Sequence, residues 1–316
     1  MSNARAGEQG SRRVDRTWLV AGAAALWGTD GLLRKPLADT LPAASVVFWE
    51  HVLVVLLLAP WLPRALRAFR TCSARERWAM VAIGVGSSAV ATALFTTAFR
   101  LGDPVTPLVL QKLQPVFAVL AAFLLLGERL RPGYLLFALP ALLGAWLLTF
   151  PDPLSVRVAA AQAAALALGA AALWAAGTVL GRLVSTRLSP LDTTVLRFAF
   201  GLPASAVVLV AQGAPVRVGW DNALGLVLLA LVPGLLALRL YYVGLRSTPA
   251  SRATLAELAF PATAALIGVG LLDTHLTPTQ WLGFALVVGA VTALGWHERV
   301  ARKPAVVVRS PEPTVA

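Results

Sequence analysis

The hexapeptide Gly-Ala-Ala-Ala-Leu-Trp occurs twice in this chain of 316 residues, at positions 22–27 and again at 169–174. The agreement extends beyond the two copies, because Pro115 recurs as Pro261 at almost the same offset. A repeat at a constant spacing indicates that one structural unit has been duplicated. In a membrane protein, duplicated halves place the binding site between them, near the middle of the bilayer. The repeat therefore predicts a two-part membrane protein that moves a small molecule.

The composition predicts an all-α integral membrane protein. Hydrophobic residues make up 58% of the chain and charged residues 13%, whereas soluble domains carry more charge. A spanning helix needs about 20 apolar residues. We predict ten spans, at 17–35, 43–62, 78–99, 104–126, 132–150, 158–181, 190–211, 221–244, 249–272 and 278–297. They form two five-helix repeats, 17–150 and 158–297, between an N-terminal tail (1–16) and a disordered, proline-rich C-terminal tail (298–316).

The placement of the basic residues predicts the topology. The formal net charge is +12, and with the N terminus inside, 19 of the 27 basic residues fall in inner segments. The outer segments hold only five: Arg34, Lys35, Arg100, Arg157 and Arg217. The positive-inside rule then predicts that both termini lie in the cytoplasm. The membrane that holds the protein is predicted to be the cell membrane. The basic charge is explained by topology, so nucleic-acid binding is not expected. Because five spans per half is an odd number, the second repeat is predicted to insert upside down.

The metal-ligating residue types give no sign of a cofactor. The single cysteine, Cys72, excludes an internal disulfide and a cysteine metal cluster. The three histidines, His51, His275 and His297, are too scattered for a metal site. His51 follows the acidic Glu50 but is rotated about 100° from it on a helix, so we expect it to face another helix. A proton relay is the alternative.

Three short motifs carry a resemblance to a known family. They are Leu-Trp-Gly at 26–28, Gln-Pro at 114–115 and Leu-Gly-Glu-Arg-Leu at 126–130. With these motifs the chain resembles the EamA family of the drug/metabolite transporter superfamily. The resemblance implies ten helices, a central cavity and alternating access, commonly for export of amino acids, related metabolites or drugs.

The chain departs from the family pattern at two places. Asp-Thr-His stands at 273–275, where Gly-Glu-Arg would recur in the second half. Glu50 stands where such halves usually carry an arginine, whereas its second-half counterpart, Arg197, is intact. The resemblance leaves a purely structural role open for Arg197.

Ionisable residues inside the spans are candidates for function, because a charge in the membrane is costly unless it is paired or hydrated. The outer half is predicted to hold Asp30, Glu50 and Lys112, and the inner half Arg197, Arg239 and Glu257. A cavity lined by both signs suits a polar or zwitterionic solute. We expect Arg239 and Glu257, at similar depths on consecutive helices, to form an ion pair. The alternative for all six is a set of ion pairs that hold helices together.

The fourth span has a broken polar stretch where Gln111, Lys112 and Gln114 surround Pro115. Proline removes a backbone donor and frees a carbonyl group, and transporters bind solutes at such places. Lys112 is one of only three lysines against 24 arginines, and a desolvated ammonium can lose its proton whereas a guanidinium cannot. We therefore expect Lys112 to act in the transport cycle. The alternative is a permanent ion pair with Glu50 or Asp30.

Two tryptophans of the repeated hexapeptide, Trp27 and Trp174, are predicted to share a cavity wall, with ordinary packing as the alternative. Pro115 and Pro261, which are equivalent in the repeats, are assigned structural roles.

The residues together predict a secondary transporter in the lipid bilayer, an exporter of a small amino-acid-like metabolite or drug, as a monomer or homodimer. A channel-like or facilitative permease is the main alternative. An intramembrane enzyme is a weaker one, because there is no organised nucleophile and base.

Overall fold

The computed structural model describes residues 16–101, 110–111, 113–128, 133–150, 152–155, 161–271 and 275–300, and the regular elements in these ranges are helices. The α-helices of the first half are α1 (Thr17–Trp27), α2 (Asp30–Thr40), α3 (Ala43–Leu58), α4 (Leu62–Arg70), α5 (Ala74–Ala82), α6 (Ala91–Leu101), α7 (Gln114–Leu126) and α8 (Tyr134–Thr149). Those of the second half are α9 (Ala161–Val184), α10 (Pro190–Ala211), α11 (Ala223–Leu229), α12 (Ala237–Leu245), α13 (Ala250–Ala256), α14 (Ala259–Leu271) and α15 (Pro278–Val300).

Within the described ranges, six continuous helical stretches are long and apolar enough to cross a bilayer: Ala43–Arg70, Ala74–Phe95, Ala161–Val184, Pro190–Ala211, Trp220–Leu245 and Ala250–Leu271. Three shorter apolar helices cover Gln114–Leu126, Tyr134–Thr149 and Pro278–Leu294. The described helices are therefore those of an all-α membrane protein, as predicted, whereas the count of ten spans stays a prediction. α3 continues through a 3₁₀ turn into α4, so the helical stretch that contains the second predicted span runs on to Arg70.

The first predicted span, 17–35, is not one continuous helix. α1 ends at Trp27, and after a short break the chain continues as α2 as far as Thr40. At the break, the Thr29 hydroxyl donates a hydrogen bond of 2.7 Å to the Leu26 carbonyl oxygen. Arg34, which the count of basic residues placed in an outer segment, lies within α2.

Two π-helical segments interrupt the α-helices at equivalent places in the two repeats. The first π segment, Ile83–Val90, joins α5 to α6, and the second π segment, Ala230–Leu236, joins α11 to α12. The second contains Pro233, which has no backbone N–H and cannot continue the α-helical bonding. π segments widen a helix and redirect its carbonyl groups, and they are frequent at functional sites.

The two halves share one packed core. The largest buried cluster combines Val20 and Met80 of the first half with Leu196, Tyr242 and Leu245 of the second. Elsewhere, α8 and α15 approach backbone to backbone: a Cβ placed on Gly144 would lie 2.8 Å from the Gly283 carbonyl oxygen. Small residues allow such close contact between helices in membranes.

Candidate functional site

A cavity of about 340 Å³ lies between the two halves of the chain. It brings together ten of the residues singled out from the sequence: Trp27, Asp30, Glu50, Gln111, Gln114, Pro115, Trp174, Arg197, Glu257 and Pro261. Both π segments contribute to its wall, through Ser87 and Ser88 on one side and Pro233 and Gly234 on the other. Lys112 lies outside the described residues.

Glu257 is held in the cavity by three neutral donors from three helices. Its Oε1 accepts hydrogen bonds from the Tyr241 hydroxyl at 2.9 Å and the Thr178 hydroxyl at 3.1 Å. Its Oε2 accepts one from the Gln114 amide at 2.9 Å. The Tyr241 and Thr178 hydroxyl oxygens are also 2.9 Å apart. α7, α9 and α12 therefore all converge on this one carboxylate.

The predicted ion pair between Arg239 and Glu257 is wrong. Arg239 is exposed on α12 and is absent from the cavity wall, whereas Tyr241 on the same helix is buried there. Residues two positions apart on an α-helix point about 200° apart. Because Tyr241 faces the cavity, Arg239 must face away from it. Similar depth on consecutive helices was not enough to bring the two charges together.

A second charged group, Asp30, Arg34 and Glu50, lies at another part of the cavity wall. The Arg34 guanidinium donates to both oxygens of Asp30 at 2.6 Å and to Glu50 Oε2 at 3.3 Å. The bond to Asp30 is bidentate, the strongest geometry for such a pair. Arg34 therefore bridges Asp30 and Glu50, which are the two carboxylates predicted as alternative partners of Lys112.

Trp27 and Trp174 form reciprocal contacts across the two halves. The Trp27 indole N–H donates to the Pro233 carbonyl oxygen at 3.0 Å, and the Trp174 indole N–H donates to the Ser87 carbonyl oxygen at 3.1 Å. The acceptors lie at equivalent positions of the two π segments. We call this pair of bonds the tryptophan clasp.

The rings of the clasp are also packed in equivalent ways. Trp27 contacts Tyr241 with ring centroids 5.2 Å apart, and Trp174 contacts Phe95 at 5.1 Å. Tyr241 and Phe95 are themselves equivalent in the repeats. The two tryptophans therefore pack against the opposite half and also line the cavity. The two alternatives predicted for them, a cavity wall and ordinary packing, both apply.

Arg197 and His51 lie at the cavity wall with different surroundings. The Arg197 guanidinium donates to the Tyr242 hydroxyl at 3.1 Å, and its Nε has no hydrogen-bond partner among the described residues. His51 is buried, with Nδ1 2.8 Å from the Val47 carbonyl oxygen and its ring edge-on to Phe198 of α10. His51 thus faces another helix, as the sequence indicated.

Outside the spans, Glu128 connects the end of α7 to the start of α13. The Ala250 backbone N–H donates to Glu128 Oε2 at 3.1 Å, which satisfies an otherwise free donor at a helix N terminus. Burial raises the pKa of the Glu128 carboxyl above its usual range. Gly127 makes this possible because it ends α7 in the left-handed conformation, with φ of 66°. No group of three metal-ligating side chains is found in the part of the chain that the structure describes.

Comparison with known proteins supports the two-part organisation. The EamA-like transporter family model matches residues 17–150 and again residues 161–296. The "Riboflavin transporter ImpX" of Fusobacterium nucleatum is 30% identical over 291 residues, which cover 85% of this chain and 94% of that protein. The "Uncharacterized transporter YwfM" of Bacillus subtilis is 30% identical over 275 residues, which cover 84% of this chain and 88% of that protein. A solved structure described only as "Crystal structure of protein" has the same fold, with a TM-score of 0.73 and 20% sequence identity over 91% of this chain and 99% of that one.

Proposed function

Because the chain belongs to the EamA-like transporter family, we propose that it exports a small polar or zwitterionic, amino-acid-like metabolite or drug by alternating access. The family and the transporter names of its relatives identify a multi-pass membrane transporter and not an enzyme. The export direction, the solute class and the mechanism are parts of the proposal.

The observation that carries the proposal is the arrangement of charges around the cavity. Among the described residues, Glu257 and Arg197 both line the cavity and neither forms an ion pair within 4.0 Å, whereas Arg34 is engaged by two carboxylates. A solute with an ammonium group and a carboxylate group would complement this one acid and this one base. A cavity wall that carries an acid and a base suits a zwitterion better than an apolar cation.

The tryptophan clasp supports alternating access by two equivalent repeats. Each first helix of a repeat is bonded to the π segment of the other repeat, at matching positions. An inverted pair of five-helix repeats, with ten spans, would make such reciprocal contacts on both sides of the cavity. We propose that the protein lies in the plasma membrane and that both of its termini lie in the cytoplasm.

Riboflavin is a second candidate solute, because the chain is 30% identical to a riboflavin transporter over most of both proteins. Trp27, Tyr241 and Trp174 at the cavity wall offer faces on which a flat ring system can stack.

The proposed transport is tested with purified protein in liposomes. We expect saturable counterflow of at least one of the twenty common radiolabelled amino acids. Counterflow of riboflavin alone, followed by its own fluorescence, would select the second candidate. Unitary conductance in planar bilayers without counterflow would indicate a channel and refute the proposal.

The topology is tested by introducing single cysteines into the Cys72→Ser variant and labelling them in intact cells. A cysteine at Asp152 should react with an impermeant reagent added outside, and one at Ser310 should not. Labelling at Ser310 from outside would contradict the inverted repeat.

A further inference from the structure

Three oxygen atoms from three helices form a closed triangle at the cavity wall. They are the hydroxyl oxygens of Tyr241 and Thr178 and the Oε1 of Glu257, with edges of 2.9, 2.9 and 3.1 Å. All three distances are hydrogen-bond distances. Each edge therefore needs a hydrogen atom of its own.

When Glu257 is ionised, the triangle contains too few hydrogens. Tyr241 and Thr178 supply one each, and an ionised carboxylate supplies none, so two hydrogens must serve three edges. The Thr178 hydroxyl is in addition 3.4 Å from the Trp174 carbonyl oxygen, a further acceptor. A proton on Oε1 of Glu257 provides the missing hydrogen and gives every edge a donor. The geometry thus accommodates one additional proton at this carboxylate.

The surroundings of Glu257 also favour reversible protonation. Among the described residues, no cation lies within 4.0 Å of its carboxylate oxygens. Of the elements that pack around it, α1 contributes Trp27, α7 contributes Gln114 and α9 contributes Thr178, none of which is charged. The other ionisable groups of the described cavity wall are Tyr241 of α12, Arg197 of α10, Asp30 and Arg34 of α2, and Glu50 and His51 of α3. A carboxylate that lines a solute cavity without a fixed counter-ion can exchange a proton for a solute cation.

We propose that Glu257 is the exchange site at which a proton and the ammonium group of the solute replace each other, so that transport is solute/proton antiport. The proposal rests on the proposed function and adds to it the coupling ion and its site. A solute that enters from the cytoplasm displaces the proton by breaking the O–H bond at Oε1, and the proton passes to cytoplasmic water. After the cavity opens to the outside, the solute leaves and Oε1 takes a proton from external water. One proton enters for each solute cation exported.

Infrared spectroscopy tests the proton site without any need for transport. Purified protein in lipid vesicles is titrated from alkaline to acid pH, and the carbonyl band of protonated carboxyl groups is followed. We expect one component of this band to be lost in Glu257→Gln and retained in Asp152→Asn, which makes the same change at an exposed loop carboxylate. A mixture of the twenty amino acids, added at fixed pH, should reduce this component in the wild type. Identical titrations of the wild type and Glu257→Gln would overturn the proposal.

Transport measurements in the same vesicles separate coupling from structure. An imposed pH gradient should drive accumulation of the labelled amino acids in the wild type and in Asp152→Asn. Glu257→Gln should lose this accumulation, whereas Glu257→Asp, which keeps a titratable group, should retain it with a shifted pH profile. Gradient-driven accumulation by Glu257→Gln would overturn the proposal. Equal elution of all variants in gel filtration controls for folding.

The two proposals fail in different ways. If Glu257 loses a proton in the infrared titration but the wild type transports none of the amino acids, the proton site is supported and the proposed solute class is contradicted. Amino-acid counterflow with no effect of pH in the wild type would support the transporter and contradict the antiport.

Discussion

The tryptophan clasp should contribute measurably to the stability of the fold. Trp27→Phe removes the indole N–H that satisfies the buried Pro233 carbonyl group. An interhelical hydrogen bond in a membrane contributes on average about 0.6 kcal/mol, and a buried polar group left without a partner costs about 1–3 kcal/mol. Some ring contact with Tyr241 is also lost. We therefore expect the free energy of unfolding to fall by about 1–3 kcal/mol.

The matched variant is Trp174→Phe, which removes the equivalent bond to Ser87. Because the two bonds differ by only 0.1 Å in length, the two variants should lose similar amounts. Trp78→Phe is the control, since this side chain is 74% exposed. The measurement is reversible unfolding in mixed detergent micelles with increasing dodecyl sulfate. Losses for Trp27→Phe and Trp174→Phe no greater than for Trp78→Phe would refute the reasoning.

Three further predictions concern charged residues. Arg34→Gln leaves two partly exposed carboxylates without their shared cation and should cost about 1–3 kcal/mol of unfolding free energy, whereas Arg217→Gln, at an exposed site, should cost almost nothing; equal effects in the same detergent titration would contradict the assigned contacts of Arg34. The pKa of Glu128 is raised, so its ionisation opposes folding and wild-type stability should fall as the pH rises through that pKa. Glu128→Gln should therefore gain in stability relative to wild type as the pH increases, and a constant difference across the pH range would refute this. Lys112→Arg should fold but lose most of its solute exchange, because a guanidinium cannot lose its proton as a desolvated ammonium can; normal exchange in liposomes would show that Lys112 needs only its charge.

Much of the cavity wall could be predicted from the sequence because charge and proline inside an apolar span are rare and therefore conspicuous. Glu257 and Gln114 were singled out for that reason, and they contact each other directly. Tyr241 and Thr178 were missed, because a tyrosine or threonine in a span is common and only the convergence of helices shows its partner. The π segments were also beyond prediction, although Pro233 marks one of them in the sequence.

The charge pattern missed one ion pair and wrongly predicted another, each for a simple geometric reason. Arg34 was counted only among the outer basic residues, although its spacing of four from Asp30 is that of a helical ion pair and was the available signal. Arg239 was placed by depth alone, without its direction around the helix. Depth follows from residue number at 1.5 Å per residue, but the direction that a side chain faces depends on the neighbouring helices.

The central claim is that the solute passes through the cavity between the two repeats, and a single cysteine tests it most directly. Ser88 lies at the cavity wall, whereas Val207 is 68% exposed on the outer surface of α10. Ser88→Cys and Val207→Cys, each in a Cys72→Ser background, are treated in liposomes with an impermeant charged thiol reagent during amino-acid counterflow. We predict that modification of Ser88→Cys stops counterflow, that excess amino acid slows this modification, and that modification of Val207→Cys has no effect. Complete modification of Ser88→Cys with counterflow unchanged would contradict the account.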